Sequence, residues 1–172
     1  MTKPLRLGIA GLGTVGIGVI KIIQNKKSLL EERTGRKILI SAITAKSKTK
    51  KRGMDLSSYH WEKDPISLAN RDDIDVFIEL IGGHDGVAKE AVEVAINKGK
   101  DVVTANKALL AHHGHELALK AEKSGSILRF EAAVAGGIPV IKSLTEGLAG
   151  DSINRIIGVM NGTCNYILTR ME

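Results

Sequence analysis

Leu5-Arg6-Leu7-Gly8-Ile9-Ala10-Gly11-Leu12-Gly13-Thr14-Val15-Gly16 is the stretch that decides the fold. Its first six residues are mostly apolar, as a short strand requires. Beyond the glycines, Val15, Val19, Ile20, Ile22 and Ile23 recur at helical spacing. A G-x-G-x-x-G between a strand and a helix is the setting in which that pattern binds a dinucleotide. The first glycine permits the tight turn, the second lets backbone approach a pyrophosphate, and the third lets helix and strand pack closely. The helix start then offers free N–H groups and the positive end of its dipole to an anion. The rival reading is a glycine-rich turn that binds nothing.

Outward from this turn, Asn25 to Arg36 is polar and reads as a connection, with Gly35 in a loop before the strand Lys37-Ile38-Leu39-Ile40-Ser41-Ala42-Ile43-Thr44. In an NAD-selective fold an acidic residue after this second strand takes the ribose 2′-hydroxyl. Here the strand runs into Ala45-Lys46-Ser47-Lys48-Thr49-Lys50-Lys51-Arg52, with no carboxylate until Asp55. A basic loop without an acid attracts a 2′-phosphate, so the expectation is NADP over NAD, with Lys46 and Ser47 as the nearest candidates. NAD stays open, as do a merely solvated basic loop and unspecific nucleic-acid binding. Two Phe, two Tyr and one Trp leave few platforms for base stacking, which disfavours a nucleic-acid partner.

Met54 to Asn70 is a long connection with a short helix expected from about Ile66. Asp75-Val76-Phe77-Ile78-Glu79-Leu80-Ile81 reads as a strand buried on both faces and ends in Gly82-Gly83. Asp85 is placed to cap a helix whose stripe is Val87, Ala88, Ala91, Val92, Ala95 and Ile96, closed by Gly99. Lys100 to Thr104 is the next strand, followed by Ala105-Asn106-Lys107, a helix over about Gly114 to Lys123, and a strand from Ser126 to Glu131. Strands alternating with helices across short loops give an α/β chain with a doubly wound, mostly parallel sheet. Ligands of such sheets lie outside the carboxyl ends of the strands. Five strand ends carry this chain's unusual residues: the glycine turn, Lys46, Gly82-Gly83, Thr104 to Lys107, and Glu131-Ala-Ala-Val-Ala-Gly-Gly. Ile138 to Leu148 reads as a helix opened by Pro139, and Ser152 to Met160 alternates like a strand. Asn161 to Glu172 reads as a helix start.

The 172 residues allow one full core and the beginning of a second domain. No apolar run approaches the roughly 20 residues that a bilayer span needs, and the N-terminus lacks a signal-peptide core. With Cys164 as the single cysteine no intrachain disulfide can form, which suits a cytoplasmic setting. The net charge of +6 suits an anionic ligand without choosing one.

The motifs GLGTVG at 11–16, ELIGG at 79–83, TANKALLA at 104–111, EAAVAGGIPVI at 131–141 and NGTCNYILT at 161–169 resemble the homoserine dehydrogenases over essentially the whole chain. The resemblance implies a Rossmann-like dinucleotide-binding domain at 1–135, and the incomplete start of an α+β substrate and dimerisation domain at 136–172. It implies NAD(P)-dependent interconversion of aspartate semialdehyde and homoserine, on the route to threonine, isoleucine and methionine. It assigns Gly11, Gly13, Thr14, Val15 and Gly16 to the cofactor backbone, and Thr104 and Lys107 to the nicotinamide end. It also places Glu131, Val134, Gly136 and Ile138 around a sodium-type monovalent cation, for which oxygen ligands are suitable. The family's later motifs, including its proton-transferring lysine, do not occur in these 172 residues, so Lys107 is a supporting group only. The expectation is a chain that binds cofactor without efficient turnover, and a homodimer when complete. A non-catalytic, regulatory dinucleotide-binding module is the alternative.

Three further readings concern single groups. Cys164 could be a thiol nucleophile, but no histidine follows it, and an inert cysteine is the expected state. His112, His113 and His115 invite a transition-metal site but lack a complete ligand set. Glu79 and Glu131 are expected to be structural or cation-binding rather than an acid–base pair.

Overall fold

A computed structural model of the protein describes residues 2–159 and 161–171. Among these, six strands form one sheet: β1 (Leu5–Ala10), β2 (Ile38–Thr44), β3 (His60–Trp61), β4 (Val76–Glu79), β5 (Asp101–Thr104) and β6 (Leu128–Arg129), in the spatial order β3-β2-β1-β4-β5-β6. Every neighbouring pair is parallel, with Ile9 opposite Ile43 on one side and Ile78 on the other. The winding reverses between β1 and β4, so the crevice of this α/β sheet opens at the carboxyl end of β1.

Side-chain alternation along the strands builds two cores. Phe77 and Val102 pack with Leu68 of α3 (Pro65–Asn70), with Ala91, Val92 and Ile96 of α4 (Val87–Asn97), and with Leu109 and Leu117 of α5 (Lys107–Ser124). Leu7, Ile9, Ile43, Val76 and Ile78 face the other way, onto Ile17 and Ile20 of α1 (Thr14–Asn25). A helix layer on each face makes the sheet doubly wound.

Several boundaries differ from the sequence reading, each for a physical reason. The connection after α1 is a second helix, α2 (Lys27–Thr34), which buries no residue and so carries no apolar stripe to read. The pair His60–Trp61 is recruited as β3 by β2, a pairing too short to have a pattern. The helix expected from Gly114 begins at Lys107, because the Asn106 side chain accepts from the Leu109 N–H at 3.1 Å and caps it. Asp85 does not cap α4. Gly86 holds that position at φ 69° while Asp85 turns to histidines. The strand expected over Ser126–Glu131 pairs only at Leu128–Arg129, and Glu131 opens the short helix α6 (Glu131–Val134).

Cα packing groups residues 1–141 and 142–172 separately. The helix expected from Ile138 is α7 (Val140–Lys142), continued by a π-helical turn over Ser143–Gly147. Residues 152–159 form no strand among the described residues, and residue 160 lies outside them. Alternation supplies side chains for a face but not the neighbouring strand that a ladder needs. α8 (Gly162–Met171) follows the expected helix start.

Candidate functional site

The glycine turn is built by close approach. Gly11 sits at φ 99°, where an added Cβ would lie 2.3 Å from the Leu80 carbonyl oxygen, so β1 and β4 touch through bare backbone. A Cβ on Gly16 would lie 2.0 Å from the Gly11 carbonyl, which brings α1 directly against the turn. Around Gly13, in contrast, nothing lies within 4 Å of such an atom. The two outer glycines are filled by the protein and the middle one faces open space, the division of labour that a dinucleotide pyrophosphate requires. Gly13 is the N-cap of α1 and no side chain caps the helix, so its first-turn N–H groups remain for an anion.

A cavity of about 380 Å³ opens here, floored by Leu12, Gly13 and Thr14 and walled by Lys21, Lys50 and Arg52. An adjoining one of about 260 Å³ lies between Lys48, Lys51, Ser57 and Trp61. The basic loop after β2 folds over the glycine turn through Arg52. Its Nε donates to the Leu12 carbonyl at 3.1 Å and its terminal nitrogens donate to the carbonyls of Lys50, at 2.8 Å, and Ser47. The guanidinium carbon stands 5.5 Å from the Trp61 ring centroid, and the Lys48 ammonium 5.9 Å from it. Lys46, the loop residue favoured from sequence, is exposed and lines neither cavity. Sequence reasoning passed over Lys21, Lys50 and Arg52. The basic run contained the last two, but only the path of the loop shows which of its residues return to the turn.

At the β4 and β5 ends a buried carboxylate organises the backbone. Glu79 is fully buried. Its Oε1 accepts from the N–H groups of Ile81 and Gly82 at 2.7 and 3.1 Å, and its Oε2 accepts from the Thr104 hydroxyl at 2.5 Å. The Thr104 oxygen in turn accepts from the Asn106 N–H at 3.0 Å, and the Asn106 amide donates to the Gly83 carbonyl at 2.6 Å. Gly82 and Gly83, both at φ 87°, make the bend that this network holds. Thr104 is therefore buried and occupied within the protein, whereas Lys107, one turn on, is exposed at the start of α5. Glu79 is a structural acceptor and Glu131 lies elsewhere, after β6.

Beside this bend, Asp85 meets two histidines, His113 Nε2 at 2.8 Å and His84 Nε2 at 2.9 Å, and the His113 hydrogen bond holds its carboxyl below the usual range. The His84 and His112 rings stack with centroids 4.5 Å apart. Among the described residues no three His, Cys, Asp or Glu side chains converge as metal ligands. Cys164 is exposed. No helix among the described residues is long and apolar enough to cross a membrane.

Glu131 is half-buried, and its Oε1 accepts from the Ile141 N–H at 2.9 Å. Its carbonyl accepts from Ala135 at 3.0 Å, and the Ile138 carbonyl accepts from Val140 at 2.9 Å. Val134 closes α6 and Gly136 and Ile138 follow in the turn after it, all three exposed.

Comparison with known proteins is consistent along the chain. The family described as homoserine dehydrogenase, NAD binding domain, matches residues 11–131, and the one described as homoserine dehydrogenase matches 139–172. A homoserine dehydrogenase of Neisseria gonorrhoeae is 50% identical over 170 residues, which are 99% of this chain and 39% of that protein. The crystal structure of a homoserine dehydrogenase from Thiobacillus denitrificans superposes with a TM-score of 0.89 at 40% identity, over 98% of this chain and 39% of that one. A hyperthermophilic archaeal homoserine dehydrogenase in complex with NADPH superposes with a TM-score of 0.82 at 27% identity, over 98% of this chain and 56% of that one. The chain thus spans about two-fifths of the length of the curated relatives it matches.

Proposed function

The chain belongs to the homoserine dehydrogenase family, and on that premise we propose that it forms the dinucleotide-binding part of an enzyme interconverting L-aspartate 4-semialdehyde and L-homoserine with NADP. The observation that carries the reading is the glycine turn: two glycines closed by the protein's own backbone and a third left open at an uncapped helix start. A nicotinamide cofactor supplies the hydride that adds to the aldehyde carbon. The chain's own groups bind and orient. Gly11 and Gly16 shape the turn, Gly13, Thr14 and Val15 present N–H groups to the pyrophosphate, and Thr104 and Lys107 stand at the nicotinamide end. Thr104 contributes through the bend it holds with Glu79, and Lys107 through an exposed ammonium next to the crevice.

NADP is favoured over NAD by the loop that folds over the turn. Lys21, Lys50 and Lys51 concentrate positive charge around the cavity, and the relative in complex with NADPH points the same way. Lys46 lies at the edge of that field. A sodium-type cation is assigned to Glu131 with the carbonyls of Val134, Gly136 and Ile138. The support is chemical: a carboxylate and main-chain oxygens close together in sequence are the ligand types that a hard cation takes.

The reading assigns 1–135 to the dinucleotide-binding domain and 136–172 to the beginning of a substrate and dimerisation domain. With it go a cytoplasmic setting, a homodimer for the complete enzyme, and no nucleic-acid or membrane partner. A purely regulatory dinucleotide module is not favoured by the family match. Calorimetric titration of the 172-residue chain with NADP and NAD, with homoserine-dependent NADP reduction measured in parallel, tests the reading. Binding with NADP tighter than NAD, and little turnover, is the expected result. Absence of binding by either dinucleotide overturns it.

A further inference from the structure

Arg52 of the basic loop is hydrogen-bonded to the glycine turn, and charge alone would make it a phosphate ligand. Its hydrogen bonds describe a different task. Three of the five N–H groups of a guanidinium are already given to main-chain carbonyls, those of Ser47 and Lys50 within the loop and that of Leu12 in the turn, 40 residues away in sequence. Its plane rests near Trp61, whose ring packs against the β1–β2 core and whose indole N–H donates to the Leu56 carbonyl at 3.3 Å. Arg52 is half-buried, whereas Lys50 and Lys51 are exposed.

The Leu12 contact matters because of which peptide it holds. The peptide joining Leu12 to Gly13 is trans and planar, so its C=O and N–H point in opposite directions. A donor that fixes the Leu12 oxygen therefore also fixes the direction of the Gly13 N–H. Gly13 has no side chain to hold that plane by packing, and nothing lies near its Cα on the open side. We propose that Arg52 is a positioning residue that locks the Leu12–Gly13 peptide and so aims the Gly13 N–H at the pyrophosphate of a bound dinucleotide, leaving charge recognition to Lys21, Lys50 and Lys51. The proposal rests on the dinucleotide reading. It adds that Arg52 governs affinity for NADP and NAD alike, whereas the lysines set the difference between them.

The test uses the 172-residue chain and its Arg52→Ala, Arg52→Lys and Lys50→Ala/Lys51→Ala variants. Hydrogen exchange of the segments 11–17 and 45–53 is measured without nucleotide, followed by titration with NADP and with NAD. Trp61, the only tryptophan, reports binding and loop position by its emission. Both Arg52 variants are expected to exchange faster in both segments and to weaken NADP and NAD by the same factor, about tenfold, the equivalent of one charge-assisted hydrogen bond. The double lysine variant should weaken NADP alone. Lysine cannot reach three carbonyls from one fork, so Arg52→Lys should not rescue. Rescue by lysine, selective loss of NADP in Arg52→Ala, or unchanged exchange would overturn the lock. If the unaltered chain binds neither dinucleotide, the dinucleotide reading falls. The exchange data then still decide whether the lock exists: faster exchange in both segments of Arg52→Lys supports it, and no change refutes it.

Discussion

Two polar clasps hold the carboxyl end of the sheet, and they differ in how much water surrounds them. Glu79 is fully buried between β4 and β5 and satisfies two backbone N–H groups and one hydroxyl. Arg52 is half-buried in a loop whose neighbouring lysines are exposed, and it reaches across to the glycine turn. A buried acceptor that serves several donors makes the structure around it stiff, because each donor has nowhere else to turn. A half-exposed donor orients its target, but water and salt compete with it. The difference teaches that two clasps at one end of a sheet answer separately to solvent: the buried one fixes the scaffold, and the half-exposed one orients the turn in competition with water and salt.

The strongest way to break that contrast is Glu79→Ala. It leaves the Ile81 and Gly82 N–H groups and the Thr104 hydroxyl without their acceptor, and should lower unfolding free energy by about 3–5 kcal/mol in a denaturant titration. A loss below about 1 kcal/mol would show that water substitutes for the carboxylate and that the two clasps are alike. Gly16→Ala comes next. Its methyl would meet the Gly11 carbonyl at 2.0 Å, so α1 must move. A stability loss of about 2–3 kcal/mol, with dinucleotide affinity down by more than about tenfold, is expected from calorimetry.

Thr104→Val keeps the shape and removes one donor and one acceptor of the buried network. It should cost about 1–2 kcal/mol in thermal unfolding, and an unchanged melting point would mean that the hydroxyl is dispensable. At the opposite end of the sheet, Asp75 links β4 to β1 through Arg6 at 2.7 Å, and that hydrogen bond lowers its pKa to about 2. Its folded pKa lies below the unfolded one, so the stabilisation is present above about pH 4 and is lost as the pH falls towards 2. Asp75→Asn should remove about 1–2 kcal/mol at pH 7 and flatten the acid limb of the stability profile between pH 4 and 2. The smallest effect sharpens the contrast from the exposed side. Raising salt from 0.1 M to 1 M shrinks the screening length from about 10 Å to about 3 Å, so the preference for NADP over NAD should fall severalfold while the stability held by Glu79 stays constant. A salt-independent preference would place the selective contacts in a dry site.

The parts of the crevice that were legible from sequence are those with a local signature. Gly11, Gly13 and Gly16 could be read because their spacing is dictated within one turn, and the structure gives each the environment the spacing implied. The parallel, doubly wound sheet followed from alternating strand and helix patterns. Where the local signal was weak, the reading stopped short. α2 buries nothing and β3 is two residues long, so neither had a pattern. Asn106 was seen beside a strand end, but its role as the cap of α5 depends on a helix starting seven residues earlier than its apolar spacing suggested. In the basic loop, charge was visible and direction was not. Lys46 and Arg52 look equivalent in sequence, yet Arg52 lies against the turn and Lys46 does not line either cavity.

Residues 142–172 show the same limit in the apolar direction. Ile153, Ile157 and Val159 fall on one face at the two-residue spacing of a strand, and all are exposed without a ladder among the described residues. A periodicity states which face a segment would bury, and only a neighbouring strand makes it a strand.

The sequence by itself determined the family, through the residue identities of its motifs, and the glycine turn and the alternation of strand and helix, because these rest on contacts between residues a few positions apart. Only the tertiary structure decided that Glu79 would be enclosed by β5 and that Arg52 would close on a carbonyl 40 residues upstream. Such contacts depend on strand order, register and loop path, which are set by the packing of the whole sheet rather than by any one segment.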